Sequence, residues 1–170
     1  DVGGLPAQGR QHGVHQPTVR GNHRQAVGPA VVHAVLDIGK DVVAGIKQAK
    51  QKLGVDFLIV YPHWGWERNK IASDRQRRMA HLMIDSGADI IVGSHPHVTQ
   101  DIEIYQDKFI FYSLGNFVFD GFRDDLQNTG WLLQLTLKNN YSIEWRIIEA
   151  RINKKGIPRV GKQIDYDIDE

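Results

Sequence analysis

From Asp37 onward the apolar positions fall into alternating helical and strand rhythms. Val42, Ile46, Ala49 and Leu53 follow at intervals of four, three and four with Lys and Gln between them, which predicts an amphipathic helix closed by Gly54. VDFLIVY (55–61) is a nearly continuous, β-branched run, suited to a strand buried on both faces of a parallel sheet and stopped by Pro62. In SDRQRRMAHLMIDSG the helical spacing returns: Ser73 and Gln76 stand at capping-box distance, Met79, Leu82 and Met83 form the inward stripe, and Gly87 is the C-terminal stop. ADIIVG follows as a second buried strand. Strand, helix and strand in this order predict a βαβ unit whose right-handed crossover makes its two strands parallel.

Beyond it, FIFYSLGNFVF (109–119) reads as a strand broken at Gly115 and Asn116, a pair suited to a tight turn or bulge. The remainder is expected to be antiparallel. Trp131, Leu133, Leu135 and Leu137 share one face of WLLQLTL, KNNYS turns, and Ile143, Trp145 and Ile147 continue the alternation on the returning strand. The acidic tail IDYDIDE is read as a solvated edge, and no internal repeat is visible.

Residues 1–36 differ in kind. They hold four of the eight histidines and no Phe, Trp or Tyr, whereas aromatics recur from Phe57 on. Such a segment makes a poor core, so it is expected to be a loop-rich or disordered leader, joined near Asp37 to a folded unit spanning 37–170.

Composition narrows the function classes. The 170 residues and 41% apolar content suit one globular domain. Lys and Arg total 21 against 20 Asp and Glu, and the formal charge of +1 provides no field to recruit nucleic acid or an anionic membrane surface. With no cysteine, metal binding must use His, Asp, Glu or Asn. No stretch is apolar enough to span a bilayer as a helix, and the first residues lack the order of a signal peptide.

The βαβ reading brings the ends of VDFLIVY and ADIIVG to one sheet edge, where open α/β sheets bind ligands. PHWGWE and GSHPHVTQ then emerge together, bringing His63 beside His95 and His97. Two residues apart in an extended segment point the same way, and Pro96 biases His95 toward extended backbone. Two readings compete: a stiff turn whose imidazoles face water, or a clamp of metal ligands suited to zinc, manganese or iron. Glu67 is either a base or an acceptor orienting a ligand imidazole, or else a solvated carboxylate. Asn116 could ligate an ion or donate to a phosphate oxygen, against the plainer role of a left-handed turn residue. Ser94 is a candidate substrate contact. Trp64 and Trp66 would wall a pocket or pack the rim, His81 is read as structural, and Arg75, Arg77 and Arg78 as a solvated helix face.

Taken together, HWGWE (63–67), GADIIVGSHPHVTQ (87–100) and IFYSLGNFVFD (110–120) resemble the CapA/PgsA family of capsule and poly-γ-glutamate synthesis proteins. That family's domain is similar to the calcineurin-type metallophosphoesterases, so the resemblance implies the C-terminal part of that α/β fold, a βαβ unit followed by mainly antiparallel strands. It implies His63 as the isolated histidine ligand, His95 and His97 as the paired ones, and Asn116 within the family's SLGNF turn. A divalent metal, manganese, zinc or iron, is the expected cofactor. The family's other ligands come from an early Asp-bearing strand end and an Asn-His motif. In RGNHRQ (20–25) no apolar strand precedes Asn22 and His23, and Arg24 stands where an acidic residue is usual, so the match is read as coincidence.

The chain is accordingly expected to be the C-terminal portion of a longer protein, its metal site incomplete and its leader a truncation product or altered reading frame. The resemblance further implies capsule or poly-γ-glutamate biosynthesis at the extracytoplasmic face of the cell envelope. The implied partners are an anionic polymer or phosphoester substrate and other capsule-synthesis membrane proteins. If the full protein is an enzyme, the expected chemistry is metal-activated hydrolysis of a phosphoester. A non-catalytic scaffold for polymer export and a general metal-dependent phosphoesterase are the alternatives.

Overall fold

A computed structural model describes residues 31–36, 42–120, 124–138 and 142–166. Five strands form the larger sheet: β1 (Val31–Leu36), β2 (Phe57–Pro62), β3 (Ile90–Val92), β4 (Ile102–Tyr105) and β5 (Lys108–Phe111), in the spatial order β1-β2-β3-β5-β4. β1, β2, β3 and β5 run parallel, and β4 pairs antiparallel with β5. Three antiparallel strands make the second sheet: β6 (Thr129–Leu137), β7 (Ile143–Ile152) and β8 (Pro158–Ile164). Helices α1 (Val42–Gln51) and α2 (Asp74–Asp85) complete the described elements. The expected mixed α/β class and its βαβ unit, β2-α2-β3, are therefore present.

Strand periodicity sorts the core into two layers. Leu58, Val60, Ile91, Ile110 and Tyr112 face the helices and pack with Val42, Ile46, Ala80, Met83 and Ile84. Phe57, Ile90, Val92 and Phe111 face the other way and meet Ile147, with Trp131, Leu133, Leu135 and Trp145 around them. The larger sheet is thus covered on both sides, as its uninterrupted apolar strands require. The alternation read along residues 131–147 supplies the inner face of the second sheet.

Several local expectations change. The strand β1 occupies the last six residues of the segment expected to be loop-rich, while residues 1–30, including Asn22 and His23, lie outside the described residues. Helix α1 ends at Gln51, so Leu53 falls beyond its buried stripe and is exposed before Gly54 turns the chain at φ +62°. On α2 the capping box forms between Ser73 and Gln76, but the inward face is Gln76, Ala80, Met83 and Ile84; Leu82 points outward. Arg77 is no solvated residue: it pairs with Asp101 and Glu103 and lies over the Tyr112 ring. The tail is only partly an edge, because Ile164 ends β8 and Tyr166 packs edge-on against Trp131.

Candidate functional site

Pairing between β2 and β3 continues past both strands. Trp64 N–H donates to the Ser94 carbonyl and Ser94 N–H to the Pro62 carbonyl, both at 3.0 Å, which sets His63 beside Ser94 in a parallel bridge. Gly93 permits this junction. A Cβ there would lie 2.1 Å from the Tyr112 carbonyl oxygen and 2.5 Å from Trp64 Nε1. The buried Trp64 indole uses that space to donate to Tyr112 O at 2.9 Å.

All three predicted histidines meet at this edge. The ring centroids of His63 and His95 are 4.5 Å apart, and those of His95 and His97 6.1 Å. The backbone route is not the extended one expected from the proline. His95 and His97 have φ of +100° and +58°, both in the left-handed half that side chains rarely adopt. Arg68 N–H donates to the Pro96 carbonyl at 2.7 Å, tying the loop after His63 onto the apex of the His-Pro-His turn. That tie and the pairing of Gln100 N–H with Ser113 O hold the turn at both ends in a conformation local preference disfavours.

Hydrogen bonds decide which ring nitrogens carry protons. Asn116 is buried, and its Nδ2 donates to the carbonyls of His97 and Gln127 at 3.2 and 2.9 Å. Its Oδ1 therefore accepts, from His97 Nδ1–H at 2.8 Å, which leaves Nε2 as the lone-pair nitrogen of His97. Ser94 Oγ donates to the Pro62 carbonyl at 3.3 Å and lies 3.4 Å from His63 Nδ1, so it accepts from that nitrogen. His63 Nε2 then takes the Nδ1–H of His95 at 2.8 Å. Burial holds the His63 pKa below the usual imidazole value, and the electrostatic influence of the neighbouring His95 and His97 lowers it further. Neutral imidazole, the ligating form, is thereby favoured.

The remaining predicted residues divide. Ser94 touches His63 and the backbone, orienting an imidazole. Glu67 is exposed, whereas Ser94 lies against His63, His95 against His63 and Asn116 against His97. Two buried glutamines escaped sequence reasoning. Gln76 Nε2 donates to Gln100 Oε1 at 2.9 Å, and Gln100 Nε2 donates to the Asn69 carbonyl at 2.9 Å, fastening the loop after His63 to the strand end after His97. Only the capping-box spacing of Gln76 hinted at either.

The donor set suits a divalent ion in type, being imidazoles of which two are oriented by an amide and a hydroxyl. It is not closed. Among the described residues no group of three or more His, Asp or Glu side chains is positioned to hold an ion. The 2.8 Å between His63 Nε2 and His95 Nδ1 is hydrogen-bonding distance, shorter than the roughly 3.3 Å that tetrahedral ligation with metal–nitrogen bonds of about 2.0–2.1 Å imposes.

The fold is thus a mixed α/β one whose larger sheet gathers three imidazoles at the carboxyl ends of β2 and β3. The bacterial capsule synthesis protein family PGA_cap matches residues 7–121, taking in all three motifs, and the chain belongs to that family. It is 52% identical over 123 residues to the capsule biosynthesis protein CapA of Bacillus anthracis, covering 67% of this chain and 28% of that protein. It is 48% identical over 102 residues to the PGA biosynthesis protein CapA of Bacillus subtilis, covering 56% of this chain and 24% of that one. The chain spans about a quarter of the length of these curated relatives.

Proposed function

We propose that the chain forms the histidine side of a metal centre in a capsule or poly-γ-glutamate biosynthesis protein acting at the cell envelope, with a calcineurin-like metallophosphatase fold in the full-length molecule. The observation that carries this reading is the meeting of His63, His95 and His97 at one sheet edge, with Asn116 fixing the tautomer of His97. The three imidazoles would hold a manganese, zinc or iron ion. When bound, such an ion supplies Lewis-acid polarisation of a phosphoryl oxygen. The chain's own part is to orient: Ser94 turns His63, Asn116 turns His97, and the Arg68 tie to Pro96 sets the distance between the two loops.

For the 170-residue chain, calorimetric titration with manganese or zinc at neutral pH should give saturable binding that His95→Ala with His97→Ala abolishes. Absence of saturable binding to the unsubstituted chain removes the metal reading.

A scaffold role in polymer export is favoured by one specific observation, that His63 Nε2 and His95 Nδ1 stand 2.8 Å apart, hydrogen-bonded to each other. It predicts that cells carrying His95→Ala and His97→Ala in the full-length protein make polymer at the unsubstituted level. A fall in polymer with protein abundance unchanged counts against it.

A further inference from the structure

On the helix side of the Trp64 loop lies a cavity of about 230 Å³, lined by Trp64, Gly65, Trp66, Arg75, Gln76 and Met79. Its floor is built by Gly65, whose φ of +88° and missing side chain let the loop settle on α2; a Cβ there would come within 2.8 Å of the Gln76 amide. That amide is already committed, accepting from Ser73 and donating to Gln100. Recognition therefore falls to the rim.

Two rim side chains lack an internal explanation. Trp66 is 72% exposed, and its ring meets no other ring among the described residues. Arg75 is exposed with no acidic partner among the described residues, although Arg77, two positions on, is held by two carboxylates. One unpaired guanidinium beside apolar walls asks for a ligand with one anionic group on an aliphatic stem. The size agrees with a single unit of a chain, being below the roughly 300–1,000 Å³ of sites that enclose a whole small molecule. The exposed carboxylates of Glu67 and Asp74 flank the lining residues in sequence and oppose a dense polyanion such as polyphosphate.

We propose that this cavity binds one acidic amino-acid unit of an anionic polypeptide, its carboxylate on Arg75 and its methylenes against Trp66 and Met79. The inference rests on the capsule-polymer reading for the source of that chain, and not on the metal.

Calorimetric titration of the 170-residue chain with a short γ-linked glutamate oligomer, and separately with polyphosphate of matched charge, tests it. Saturable binding of the oligomer is expected, with Arg75→Gln and Trp66→Ala each weakening it by about tenfold, the loss attending one charge-assisted contact. Thermal melts followed by circular dichroism should be unchanged in both variants. Oligomer affinity unaltered by either substitution, or polyphosphate bound as tightly as the oligomer, overturns the proposal. The His95→Ala, His97→Ala variant separates the two readings: it should keep the oligomer while losing metal. If metal binds the unsubstituted chain and the oligomer does not, the cavity assignment fails and the metal reading stands.

Discussion

Asn116 Oδ1 accepts a hydrogen bond from His97 Nδ1 at 2.8 Å, while the Nδ2 of the same amide donates to the His97 carbonyl. One side chain thus holds both the ring and the backbone of a candidate ligand. Replacing Asn116 by Ala removes the acceptor that fixes the tautomer. Metal affinity measured by calorimetry should fall by about 10- to 100-fold, the range for losing such an orienting partner. Nitrogen-15 shifts of the His97 ring should change from the Nδ1–H pattern to a mixture.

Gly93→Ala tests the junction beneath the histidines. The added methyl would overlap the Tyr112 carbonyl and the Trp64 indole nitrogen, both on buried, hydrogen-bonded groups that cannot give way together. Overpacking of this kind should cost about 3 kcal/mol or more, read as a lower urea midpoint with an unchanged slope.

Acid stability should depend on Glu103. Burial works against its ionisation, yet hydrogen bonds from Tyr112, His81 and Arg77 outweigh it and hold its carboxyl below the ordinary value of 4.5. Because the folded pKa is depressed, the stabilisation is present above pH 4.5 and is lost as pH falls through the lower folded value. Glu103→Gln should therefore lower stability at neutral pH and flatten the acid limb of a melting-temperature profile.

The hairpin joining β4 and β5 turns through Gln106 and Asp107, with φ of +49° and +58°. Both positions suit Asn-Gly better than the residues present. Asp107→Gly should raise stability by about 0.5–1 kcal/mol in urea unfolding, and a loss of stability would contradict the turn geometry.

That same turn shows why part of the fold was hidden. Residues 102–111 contain no Asn-Gly or Pro-Gly signal, so the pattern predicts no β4 and marks β5 only as the start of a longer run. The parallel pairing of β2 with β3 was readable because continuous β-branched runs bracketed a capped amphipathic helix. β8 is short of apolar residues and largely exposed, which left no pattern to find.

For the site, strand ends brought the three histidines together as topology required. Their orientation was unreadable, since left-handed backbone at His95 and His97 is imposed by distant ties to Arg68 and Ser113. Arg77 likewise looked solvated because its partners, Asp101 and Glu103, lie more than twenty positions away.

The left-handed turns at 95 and 97 set toughness against chemistry at the rim. A chain selected only to resist unfolding would carry glycine at both positions, where a positive φ costs nothing sterically. Imidazoles there leave the molecule softer at its mouth, so the first place to loosen on warming should be the loop that carries the donors.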